Sequence, residues 1–128
     1  MGKRTMNEQQ MIDTIWGATL LGGGGGGPLQ SGMDILNKYK SDYPTSPMTI
    51  TLYDVDEMDP NAYAAVTAGM GAPTKIKDVD FSVYATNAFM CLKELNAKLD
   101  PPRSLEYSLA VELGGFNTFV PMLISLVN

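Results

Sequence analysis

The sequence predicts an α/β domain, three-layer-like, with a largely parallel sheet and flanking helices. Three observations carry that reading. Apolar residues recur at helical spacing in four segments, and short β-branched or small apolar runs between them have the signature of strands. Helices and strands are interleaved along the chain rather than grouped by type. With 128 residues and 45 % hydrophobic side chains, one domain with a real core is expected.

Each element follows from local signals. Asn7 suits an N-cap, with Gln10 three residues on as its reciprocal partner. Met11, Ile12, Ile15 and Trp16 then carry a first helix to about Leu21. Pro28 opens a second helix running to about Lys40, with Met33, Leu36 and Tyr39 toward the core. After a loop through Tyr43-Pro44 and Pro47, Met48 to Tyr53 alternates Met, Ile and Leu with Thr and predicts a strand. Asp54 to Asn61 is an acidic connection. Tyr63 to Ala68 predicts a strand buried on both faces, and Met70-Gly71-Ala72-Pro73 a turn that closes it. Phe81 to Leu99 predicts a helix capped by Asp80 or Ser82 and ended by Pro101-Pro102. Ser108 to Leu113 is a further strand and Gly114-Gly115 a tight turn. Phe116 to Val127 is a final apolar helix with Pro121 in its first turns. No internal repeat is visible.

Composition excludes several functions. A net charge of −5 and scattered basic residues, with Lys75 and Lys77 among the few near one another, argue against a nucleic-acid surface. No apolar run reaches the roughly 20 residues a membrane helix needs, and the polar N-terminus is no signal peptide. A cytoplasmic protein is expected. With no histidine, neither a Ser-His-Asp nor a Cys-His arrangement can be built from this chain, nor a His-ligated zinc site. The single cysteine, Cys91, stands three residues after Ala88 and four before Leu95, and is expected to be a buried structural thiol. The acidic stretch Asp54, Asp56, Glu57 and Asp59 lacks the central glycine and terminal glutamate of a calcium loop, so a solvated connection is expected and no metal ligands are assigned. The nine methionines mostly occupy apolar positions and read as core filler.

The segment that constrains function most is a run of six glycines: Gly22, Gly23, Gly24, Gly25, Gly26 and Gly27. Residues without a Cβ reach positive φ and let backbone approach backbone or ligand closely, at an entropic cost to folding. No Gly-Lys-Ser/Thr follows, and the run succeeds a helix rather than a strand, so neither a phosphate loop nor a dinucleotide fingerprint fits. Its apolar flanks disfavour a flexible linker. A packed or ligand-facing turn, or a mobile lid, is expected beside a cleft. In an open parallel sheet ligands sit beyond the carboxyl ends of the strands. Met70-Gly71-Ala72-Pro73 and Glu112-Leu113-Gly114-Gly115-Phe116-Asn117 both lie at such ends.

Three segments together carry a resemblance: Gly17-Ala18-Thr19-Leu20-Leu21 leading into the glycine run, then Met70-Gly71-Ala72-Pro73, then Glu112 to Asn117. In order and rough spacing they are similar to the N-terminal motifs of the DUF917 family, whose members are described as hydantoinase-like or S-methyl-thiohydantoin desulfurase-like. The resemblance covers most of this chain but only about the first third of that family. It implies the N-terminal portion of a larger two-domain fold: a truncated piece, one part of a split protein, or a free-standing first domain. It further implies that Gly22 to Gly27, Gly71, Glu112, Gly114, Gly115 and Asn117 line a cleft for a cyclic amide. It names no cofactor.

The residues themselves leave two roles open at each candidate catalytic position. Glu112 could bind a substrate amide or a metal or act as a base; equally it could be a solvent-facing strand residue. Asn117 could hydrogen-bond a cyclic imide or amide, or satisfy a helix start. Backbone N–H groups at Gly114-Gly115, near the final helix, are expected to face outward as oxyanion donors. The function expected is therefore the N-terminal domain of a hydantoinase-like hydrolase with a small-molecule substrate, incomplete as an enzyme alone. The alternative is a non-catalytic ligand-binding or self-assembly module. A final helix apolar on nearly every side predicts a homo-oligomer, or a partner chain that supplies the rest of the fold.

Overall fold

A computed structural model describes residues 2–71 and 80–128. The Ala72-Pro73 half of the turn after the second apolar strand, and Lys75 and Lys77, lie outside the described residues. The chain is α/β, with the order β1 (Arg4–Asn7), α1 (Glu8–Gly22), α2 (Leu29–Asp42), β2 (Thr49–Leu52), β3 (Tyr63–Thr67), α3 (Phe81–Ala97), β4 (Leu105–Ala110), α4 (Val120–Val127). The expectation of a largely parallel sheet holds for one of two strand pairs. β3 and β4 run parallel, with Ala65 opposite Ser108 and Val66 opposite Leu109. β1 and β2 run antiparallel, with Met6 opposite Ile50. No helix among the described residues is long and apolar enough to cross a membrane.

Local signals placed the helices well. The Asn7 side chain accepts from the Gln10 N–H at 3.0 Å while the Gln10 side chain accepts from the Asn7 N–H at 2.9 Å, the reciprocal box that starts α1. Pro28 is the N-cap of α2 and Asp80 that of α3, and Pro121 sits in the first turn of α4. Met11, Ile15 and Ala18 form the buried stripe of α1, while Trp16, expected on that stripe, is 58 % exposed. Sixteen minus eleven is five residues, about 140° round a helix, so Trp16 turns away from Met11.

Four expectations need correction. β3 is largely exposed, with only Ala65 buried, because helices cover one face of the β3–β4 pair. β4 begins at Leu105, earlier than expected, since Leu105 is buried while Val111 to Leu113 leave the strand for a loop. α4 starts at Val120, and Phe116 to Phe119 form turns before it. Cys91 is exposed: α3 buries Phe89 and partly Phe81 and Ala85, a stripe repeating every four residues, and Cys91 lies outside it.

The core centres on α4. Phe119, Val120, Leu123 and Ile124 are at most 2 % exposed and pack with Met11, Ile15 and Leu36 of α1 and α2. Tyr39 donates to the Leu126 carbonyl at 2.9 Å, tying α2 to the end of α4. The apolar helix is thus covered by its own chain over most of its length. Toward its end Ser125 and Val127 are exposed and Leu126 is half-buried.

Candidate functional site

Three connections meet at one place: Gly23 to Pro28 between α1 and α2, Ala68 to Gly71 after β3, and Val111 to Phe119 between β4 and α4. Their meeting is built from backbone. The N–H of Gly115 donates to the Gly27 carbonyl at 3.0 Å, and those of Phe116 and Asn117 donate to the Gly26 carbonyl at 3.2 and 2.9 Å. Such contact leaves no room for a Cβ. One added at Gly22 would lie 2.5 Å from the Leu113 carbonyl oxygen, one at Gly27 2.6 Å from the Phe116 Cβ, and one at Gly115 2.6 Å from the Leu29 backbone. Gly26 and Gly114 face each other closer still, and Gly32, inside α2, abuts the Gly115 carbonyl. Gly26 and Gly27 also take φ of +65° and +81°.

The six glycines therefore divide. Gly22, Gly26 and Gly27 are packing residues. Gly23, Gly24 and Gly25 form an exposed tip, with Gly23 as the left-handed C-cap of α1 at φ +57°. Nothing stands within 4 Å of a Cβ at Gly23 or Gly24.

The carboxamide of Asn117 is 3 % exposed and joins the other two connections. Its Oδ1 accepts from the Gly69 N–H at 2.8 Å, and its Nδ2 donates to the Gly69 carbonyl at 3.3 Å and to Glu112 Oε1 at 2.6 Å. A side-chain amide pairs with a peptide group here as a neighbouring strand would. Thr118, 8 % exposed, closes the turn: its hydroxyl accepts from the Gly114 N–H at 3.1 Å and donates to the Glu112 carbonyl at 3.3 Å. The Phe116 ring fills the remaining space against Gly69 and meets Phe81 edge-on, with centroids 5.2 Å apart.

Against the sequence, Glu112 and Asn117 are brought into direct contact. Gly22, Gly26, Gly27, Gly114 and Gly115 are brought together too, but against one another. Gly71 is exposed at the edge of the described residues, two positions beyond Gly69. The N–H groups of Gly114 and Gly115, expected to face outward, are both spent inside, on Thr118 and on the Gly27 carbonyl. The sequence reading missed Gly69, Thr118 and Gly32. Gly32 alone carried a signal, since glycine inside a helix costs about 1 kcal/mol relative to alanine. What remains outward-facing is the exposed Glu112 carboxylate, held through one oxygen by a buried amide.

The family model of the S-Me-THD-like N-terminal domain matches residues 9–128. The chain belongs to that family. No curated protein and no solved structure matches it. In this S-Me-THD-like N-terminal domain, the match takes in all three connections that meet at Asn117, from the glycine run to the start of α4.

Proposed function

We propose that this domain is the N-terminal part of a hydantoinase-like hydrolase of cyclic amides, of hydantoin or thiohydantoin type, with Glu112 as its contribution to the reacting site. The observation that supports the reading most is the Asn117–Glu112 contact at the carboxyl ends of the parallel strands, where open α/β sheets bind their ligands. The Asn117 Nδ2–H fixes one carboxylate oxygen and the other faces solvent. A cyclic amide presents a ring N–H, and hydrolysis adds water across its C–N bond. The outward oxygen is suited to accept the ring N–H, or to orient the water, rather than to attack carbon. Asn117 is then a positioning residue. The spent N–H groups of Gly114 and Gly115 mean that donors for the oxyanion come from elsewhere in the complete enzyme.

The experiment is turnover of hydantoin and thiohydantoin by the protein that carries the rest of the fold, in the natural form and as Glu112→Gln. Turnover should fall by about a hundredfold or more with an unchanged melting temperature. Unchanged turnover would leave the domain as scaffold. That second reading, a non-catalytic module, is itself favoured by one observation: most polar groups at the junction are satisfied inside it.

A further inference from the structure

α3 turns one apolar stripe inward, Phe81–Ala85–Phe89, and leaves a second exposed. Tyr84, Ala88, Cys91 and Leu95 stand four, three and four residues apart and are all exposed, Tyr84 at 64 % and Leu95 at 62 %. That is the a/d spacing of a helix that pairs with another helix. The contacts of α3 with α4, β3 and β4 are made by its other side, around Phe89. On a heptad, Asn87 and Glu94 flank the exposed row on one side, and Ala85 and Leu92 on the other.

We propose that this row pairs α3 with α3 of a second copy of the chain, running antiparallel. The row is complementary to its own reverse. About a two-fold axis midway between Ala88 and Cys91, Ala88 of one copy faces Cys91 of the other, and Tyr84 faces Leu95. Small residues meet at the crossing, where the backbones must come closest, and bulky ones fill the space to either side. The axis falls at the middle of Phe81–Ala97, so the whole helix overlaps its copy. The flanks match as well. Asn87 comes opposite Glu94, an amide donor against a carboxylate, and Leu92 opposite Ala85. At the two extremities Asp80 lies beside Lys98, and no like charges are brought together. The surface exposed on the row and its flanks is on the order of 500 Å² per copy, so the pair buries about 1,000 Å², the lower end for a specific interface. The dimer is accordingly a weak one, with a Kd on the order of 10–100 µM. An unrelated helix has no reason to repeat this order of small centre, bulky sides and opposite charges, which a second copy supplies by symmetry.

The test is sedimentation velocity of the 128-residue chain from micromolar to millimolar concentration. A monomer–dimer equilibrium is expected. Leu95→Glu buries one charge in each of two symmetric layers and should weaken the dimer at least about a hundredfold. Val83→Glu lies on the same helix, 48 % exposed but off the row, and should change Kd by less than about threefold. A monomer at every concentration, a dimer that Leu95→Glu leaves intact, or equal loss in both variants overturns the proposal. The register has its own readout, which does not depend on whether Leu95→Glu folds. Ala88→Cys sets a new thiol opposite Cys91 of the partner subunit, close enough to be bridged. Mild oxidation followed by peptide mass spectrometry should find position 88 of one copy joined to 91 of the other. The absence of that link, or links joining only like positions, overturns the antiparallel pairing.

Discussion

Gly25 and Gly26 are neighbours in one run of glycines and have opposite relations to the fold. Gly26 is buried at positive φ, its carbonyl accepts two N–H groups from the turn before α4, and the Gly114 backbone fills the space a Cβ would need. Gly25 is exposed at negative φ, and a Cβ there would meet only the Gly22 carbonyl oxygen at 3.4 Å. Glycine is required at Gly26 where backbone meets backbone and at Gly23 and Gly24 for their φ of +57° and +101°, while at Gly25 it is merely tolerated. A low-complexity run thus holds positions fixed by packing, positions fixed by backbone conformation, and one, Gly25, fixed by neither.

The sharpest way to break the comparison is a methyl group on each side. Gly26→Ala should destabilise by about 3 kcal/mol or more, since it combines overpacking against backbone with a left-handed φ, and Gly114→Ala should behave alike. Chemical denaturation measures both. A loss under 1 kcal/mol at either position would show that the junction can open without cost.

Next in size is Asn117→Ala, which strands the Gly69 peptide group. It should cost about 2–3 kcal/mol in the same measurement, whereas Glu112→Gln keeps a polar acceptor for Asn117 and should change stability by less than about 1 kcal/mol. Equal losses would mean that Glu112 is as structural as Asn117.

The opposite sign is expected at Gly25. Gly25→Ala should be neutral or stabilising by about 0.5 kcal/mol, because it restricts the unfolded chain without straining the native one. A clear destabilisation would place a contact at the tip.

The smallest effect lies away from the junction and serves as a control. The Ser82 hydroxyl, and more weakly Lys38 at 3.8 Å, hold the Asp80 carboxyl below its usual range. A carboxyl lowered in the folded state stabilises above its unfolded pKa, and that contribution is lost as pH falls through the folded value. Acid titration should therefore show a slight loss of stability below about pH 4 that is absent in Asp80→Asn. Since Asp80 is largely exposed, salt should diminish it.

How much of this was legible depends on how far each interaction reaches along the chain. The Asn7–Gln10 box, the Asp80 cap and the Pro121 start are local, and the sequence displays them. β1 was invisible because Arg4 to Asn7 has no apolar alternation and is a strand only by pairing with β2, more than forty residues away. Cys91 was misplaced because α3 offers two apolar stripes, and packing on β3 and β4, unknown from sequence, chooses Phe81–Ala85–Phe89. At the candidate site, Glu112, Asn117 and the paired glycines stood out by residue type. That Gly115 would spend its N–H on Gly27 could not be read, because it needs the register of two distant loops, and that Gly114 would spend its own on Thr118 needs the turn those loops impose. Neither could the contact of Asn117 with Gly69, 48 positions away.

Gly26 and Gly114 stand 88 positions apart in the sequence, so their contact ties a ring that encloses most of the chain. Closing a flexible ring of that length costs about 4 kcal/mol of chain entropy, beyond a constant, and this must be met before the contact returns anything. The knot of glycines is therefore expected to close after the local helices have formed. A defect there should speed the escape from the native state more than it slows arrival. The junction then acts as the latch on the protein's lifetime, and its fastening is a matter of kinetics as much as of equilibrium.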